Sequence, residues 1–147
     1  VNAENFFGCI VDNQWVEFIP CWRGKIINRK AQYSESYNCG KVADTASARM
    51  TGLMHRTHLP ENNGMFFIFP ESGIHCMWMK DTALPLSVAF VDETGKIINL
   101  AEMTPETLTP HCAAKSARYA LEMNGGWFRK RKINIGNKVI VISPGIN

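Results

Sequence analysis

His75-Cys76-Met77-Trp78-Met79-Lys80 sets an imidazole, a thiol, two thioethers, an indole and an ammonium group side by side. Mixed His and Cys donors suit zinc, and thiol with thioether suits Cu(I). The dipeptide His75-Cys76 has a second copy in His111-Cys112, and His55 and His58 add further imidazoles. A thiol beside an imidazole also raises nucleophilic catalysis, with Cys76 or Cys112 attacking and His55, His75 or His111 as base. Against both stands strand geometry: neighbouring residues of an extended chain point to opposite faces, so a dipeptide rarely gives two ligands to one ion. In an extended segment His75, Met77 and Met79 share one face and Cys76, Trp78 and Lys80 the other. Apolar residues on both parities predict a strand covered on both sides, in which methionine fills gaps and tryptophan supplies buried area. Packing is therefore the principal reading of this segment.

Positioning such a segment requires a core. The 147 residues suffice for one domain hiding roughly 70% of its unfolded surface. A hydrophobic content of 46% with 20% charged residues is that of an ordinary soluble globule. The net charge of +3 is too small to imply nucleic acid or an anionic membrane. No apolar run approaches the ~18 residues of a membrane span, and the first residues lack a signal peptide's basic start and apolar core, so an exported protein would be present in processed form. Five cysteines (Cys9, Cys21, Cys39, Cys76, Cys112) without a C-x-x-C leave two disulfides plus one thiol, or scattered buried thiols, both open.

The expected elements are mostly short strands. Residues 6–11 and 15–19 read as two strands around a turn, Lys25 to Asn28 as another, and 29–36 as a polar connector. Asp44 or Thr45 caps a helix running to about Met54, with Ala46, Met50, Leu53 and Met54 on its apolar side. Met65 to Phe69 is a strand ended by Pro70. Leu86–Val91 and Lys96–Leu100 form a hairpin around Asp92-Glu93-Thr94-Gly95. Residues 103–116 read as a long surface loop, Arg118–Met123 as a strand, Trp127–Arg131 as a helical turn, and Lys138–Ile142 as a final strand. The whole predicts an α+β chain, mainly antiparallel β, forming a barrel or sandwich with a few short helices.

Four ordered blocks resemble the domain of unknown function family 192, the uncharacterised ACR family. They are Val42 to Thr45 with Arg49 and Gly52 to Arg56; Gly64 to Phe69; His75 to Phe90; and Ala117 to Glu122 with Gly126-Trp127. The resemblance spans about residues 42–142, and divides the chain into residues 1–38, an N-terminal extension, and 39–147, the family-like part. It implies a compact β-rich fold, and Cys-Met-Trp-Met with His111-Cys112-Ala113 looks like an exported, periplasmic branch. No activity, cofactor or catalytic residue comes with it. Many relatives carry Asp where Ser87 stands and Asn where Asp81 stands, so a chemistry built on that Asp would not operate here.

Beside these blocks, the paired His-Cys dipeptides are better read as a Cys76–Cys112 disulfide than as a metal site. The identifiable blocks also gather Trp78, Lys80, Thr82, Arg49, Arg56 and Arg118. Arginine forks bind carboxylates and phosphates, and an indole can cover an apolar ligand. The expectation is a non-enzymatic binding module for a small anionic or polar ligand or a protein partner, with no metal and no cofactor. A thiol-dependent or hydrolytic enzyme using Cys76 or Cys112, and periplasmic Cu or Zn handling, are the alternatives. The competing role for Arg49 and Arg118 is ion pairing with Asp44 or Glu122. Trp127-Phe128-Arg129-Lys130-Arg131-Lys132 could grip single-stranded nucleic acid, but packed aromatics with solvated cations fit it better, so no nucleic-acid partner is expected.

Overall fold

Leu86-Ser87-Val88-Ala89-Phe90-Val91 offers apolar or small side chains on both parities, and all six residues are buried. A strand of that kind needs cover on both faces, and the rest of the chain supplies it. The computed structural model describes residues 9–11, 14–16, 22–27 and 33–142, with side chains described over 41–139. In chain order the elements are β1 (Cys9–Val11), β2 (Gln14–Val16), β3 (Trp22–Ile27), β4 (Tyr33–Ala43), α1 (Ala46–Thr51), β5 (Asn63–Gly73), β6 (Cys76–Met77), β7 (Leu86–Val91), β8 (Ile97–Met103), β9 (His111–Cys112), β10 (Ala117–Asn124), α2 (Trp127–Lys130) and β11 (Lys138–Ile142). No described helix is long and apolar enough to cross a membrane.

Seven strands form one sheet in the order β11-β3-β4-β5-β10-β7-β8, and the pairs β1-β2 and β6-β9 stand apart from it. All pairings are antiparallel except β4 with β5. A parallel pair needs a crossover connection, and α1 with residues 52–62 provides it. The sheet edges meet through one bridge, Lys96 to Lys138, with Val139 N–H donating to Gly95 O at 2.7 Å and Ile97 N–H to Asn137 O at 2.9 Å. The sheet curls but does not close along its length, so the arrangement is sandwich-like α+β rather than a barrel.

Alternation along the strands sorts two cores onto the two faces. Phe67, Phe69, Leu86, Val88, Phe90 and Ala120 pack with Leu53, Leu59, Met65 and Met79 on one. Phe66, Ala89, Val91, Leu121 and Met123 pack with Trp127, Phe128 and Ile133 on the other. Gly64 lies opposite Met123 in the β5–β10 register, and a Cβ there would fall 2.1 Å from Glu122 O and 2.3 Å from Met123 Sδ. Backbone cannot yield as a side chain can. Gly64→Ala is therefore expected to cost about 2–3 kcal/mol, read as a lower urea midpoint at unchanged slope.

Several sequence expectations change in detail. The polar connector ends early, because β4 already begins at Tyr33. The helix stops at Thr51 rather than Met54, since Gly52 turns the chain at φ 48°. Met50 is 69% exposed, not packed. Pro70 does not end its strand: β5 continues to Gly73 across a shift in its pairing with β10, where a missing N–H is tolerated. The 103–116 loop contains β9. The opening segment keeps its alternation, with Met79 buried and Trp78 44% exposed, but only Cys76–Met77 is strand and only one face is covered.

Candidate functional site

Thr45 caps α1 by accepting from Ala48 N–H at 3.1 Å, as its hydroxyl predicts. One turn later Arg49 Nη1 donates to Ile68 O at 2.9 Å, fixing the helix across the β5 strand. Beyond Gly52, His55 N–H donates to Asp81 O at 2.8 Å, tying the tail of α1 to the turn after Met79. That turn is held in place by Met79 N–H to Thr107 O at 3.0 Å and Glu106 N–H to Thr82 O at 3.0 Å. On the other side, Cys76 faces Cys112 in the β6–β9 register, and the two form a disulfide.

These ties leave a cleft of about 590 Å³ between α1 and its tail, the β5 strand and the β6 segment. Met50 and Trp78 stand at its exposed rim, Leu53, Met54, Phe69 and Met77 form its walls, and Phe67, Thr82, Leu86 and Glu122 line its buried end. The walls are mainly apolar, which is the usual character of a small-molecule pocket. Thr82 Oγ1 donates to Lys80 O at 2.9 Å, so toward the cleft it can only accept.

Glu122 is 4% exposed. It has no ion pair and no side-chain hydrogen bond among the described residues. Burial alone pushes its carboxyl up to about 8, because a charge there would lose its hydration without compensation. Burial therefore favours its neutral, protonated form.

Trp78, Thr82 and Arg49 come together at this cleft. Lys80 stays exposed, with Nζ 5.5 Å from the centre of the Trp78 ring. Arg56 lies apart, near enough to Lys41 to help burial lower that ammonium's pKa. Arg118 faces Glu93 at 3.8 Å, near Ser72, which donates to the same carboxylate at 2.7 Å; it neither lines the cleft nor pairs with Glu122. The six residues thus do not form one cationic cluster. What the sequence reading passed over is Glu122 as an unpaired acid. Its signal was parity: it shares a strand face with Ala120 and lies opposite Met65 and Val88.

Cys76 and Cys112 are joined to each other in this structure, so neither carries a free thiol there. His75 stacks on Phe69 at 3.8 Å and its Nε2 lies 2.8 Å from Glu71 O. Among the described residues no three His, Cys, Asp or Glu side chains are grouped to hold a metal ion. Cys9, Cys21 and Cys39 lie outside the residues whose side chains are described. Ser87 donates to Glu102 Oε2 at 2.6 Å and accepts from Gly126 N–H at 2.8 Å, so this buried position anchors the turn into α2. In the basic run Trp127 and Phe128 are buried, Arg131 lies 4.3 Å over the Trp127 ring, and Arg129, Lys130 and Lys132 face solvent; the aromatics are not available to stack on bases.

Residues 29–141 match the sequence profile of domain of unknown function 192, described as Uncharacterized ACR. Among curated proteins nothing matches the chain. Crystal structures that share the fold include two from other bacteria. One, from Sinorhizobium meliloti and provisionally assigned as a transcription regulator, is 26% identical with a TM-score of 0.77, covering 82% of this chain and 92% of that one. The other, a protein of unknown function from Novosphingobium aromaticivorans, is 26% identical with a TM-score of 0.73, covering 94% of each chain.

Proposed function

The chain belongs to the family of domain of unknown function 192, and on that footing we propose that it is a binding module whose cleft takes a small, largely apolar ligand. The supporting observation is the cleft itself: about 590 Å³, apolar walls, and a few polar groups from Arg49, Thr82 and Glu122. Three methionines, Met50, Met54 and Met77, lie in its lining, and their flexible thioethers adapt to varied shapes. The reading shifts the expected ligand from anionic toward apolar, because of the six candidate residues only Arg49 brings a cation into the lining. Trp78 would cover the ligand at the rim and Thr82 would accept a hydrogen bond from it. We also infer an exported setting, supported by the Cys76–Cys112 disulfide, since such bonds persist in oxidising compartments.

The test uses the neutral fluorescent probe N-phenyl-1-naphthylamine. Uptake at one site per chain is expected, and Met54→Trp, which fills the cleft from its half-buried wall, should weaken it at least tenfold while leaving the far-ultraviolet circular dichroism unchanged. Equal uptake by the folded variant would contradict the reading.

A further inference from the structure

The hydroxyl proton of the Glu122 acid has no acceptor among the described residues, although the side chain lines the cleft and is 4% exposed. A carboxyl that opens into an apolar-walled cleft can exchange its hydrogen bond to solvent for one to an incoming acceptor. We propose that the ligand carries an uncharged acyl oxygen, a ketone, ester or amide carbonyl, which accepts a hydrogen bond from the Glu122 carboxylic acid at the buried end of the cleft. This rests on the cleft being a ligand site and specifies the ligand's polar end.

The surroundings select a neutral acceptor over an amine. On the same face β5 presents Met65 and Phe67 and β7 presents Leu86 and Val88, none of them charged. The titratable side chains sharing the lining are Arg49 and His75. Arg49 already gives Nη1 to Ile68 O, and its guanidinium repels a cation entering the cleft. His75 is stacked on Phe69 and held against Glu71 O. An ammonium ligand would need Glu122 ionised and would lose its own hydration in an apolar enclosure. A carbonyl loses far less. Thr82, whose hydroxyl hydrogen is given to Lys80 O, offers an acceptor beside it, so an amide could use both its oxygen and its N–H.

Three matched compounds separate the possibilities: 4-phenylbutan-2-one, 4-phenylbutan-2-amine and butylbenzene, titrated at pH 6.5 into the full chain and into Glu122→Gln and Glu122→Leu. Gln keeps a donor and Leu removes it. The ketone should bind wild type and Gln within about threefold of each other and Leu at least fivefold more weakly, while butylbenzene should not be weakened by Leu. Raising the pH to 9 should weaken ketone binding to wild type ~tenfold, as an acid titrating at about 8 requires, and leave the Gln variant unchanged. An amine that binds wild type more tightly than the ketone and is lost in Gln would overturn the acyl assignment. So would a ketone indifferent to Leu. Butylbenzene binding in either case would leave the cleft reading standing, whereas failure of all three compounds to bind would remove the site itself.

Discussion

Glu122→Gln is expected to be more stable than the native protein above pH 8 by several kcal/mol, and the advantage should vanish toward pH 4.5. In the unfolded chain the carboxyl titrates near its ordinary 4.5, and in the fold near 8. Between those values the native state holds a proton that the unfolded state has released. The stabilising contribution is therefore complete below about pH 4.5, shrinks by about 1.4 kcal/mol per pH unit, and is gone once pH has risen through 8. Over the whole window the loss is about 4–5 kcal/mol, a substantial fraction of the stability of a domain this size. Urea midpoints at pH 5, 7 and 8.5 for both proteins measure it. A native protein whose stability difference from Gln stays constant over that range would mean that Glu122 is paired or hydrated.

Loss of the Cys76–Cys112 bond should have the next largest effect. The bridge spans 36 residues of sequence, and closing an interval of that length contributes about 3–4 kcal/mol through the unfolded chain. Its place in the fold adds a functional consequence. β6 and β9 are two residues each and form their own small sheet, so little pairing remains once the link is cut. The Met77–Trp78 wall of the cleft hangs from β6. The double variant Cys76→Ser, Cys112→Ser is thus expected to lose about 3–4 kcal/mol in non-reducing urea melts and to bind N-phenyl-1-naphthylamine several-fold more weakly. Unchanged stability in the double variant would contradict the structural role of the bridge.

The hairpin of Leu86–Val91 with Lys96–Leu100, the strand Arg118–Met123 and a helix cap at Asp44 or Thr45 were legible because each carries a local signature: a Gly-containing loop between apolar runs, a short apolar run ended by a Gly pair, a capping side chain before a helix. The Cys76–Cys112 pairing was legible through the repeated dipeptide. The candidate residues named from the sequence do not all meet in one place. Arg49, Trp78 and Thr82 share the cleft, but Arg118 and Arg56 have local charged neighbours, Glu93 and Lys41, that sequence spacing does not show. Nothing local says that β4 and β5 pair in parallel, which is what lays α1 across β5 and opens the cleft. An ion pair of Glu122 with Arg118 or Arg49 is one of two competing expectations from the sequence, and the structure places neither arginine in a salt bridge with it. Its isolation comes from the two strands flanking it, whose same-face residues Met65 and Val88 are apolar. The helix ends at Gly52 because a positive φ breaks its periodicity there, and Met50 is exposed because α1 turns Ala48 and Arg49 toward the sheet.

The central claim is that the cleft between α1, the β5 strand and the β6 segment binds a small ligand. A titration of 4-phenylbutan-2-one into the ¹⁵N-labelled chain, followed by ¹H–¹⁵N correlation spectra at pH 6.5, tests it most directly. The expected result is a single-site isotherm, with shifts concentrated at the Trp78 indole and the Gly52, Met54 and Phe67 amides. The Trp127 indole, buried in the opposite core and donating to Asn62 Oδ1 at 3.2 Å, should stay still. Shifts centred on Trp127 or scattered without a common isotherm would contradict the claim, as would the absence of shifts with millimolar ketone, amine and butylbenzene alike.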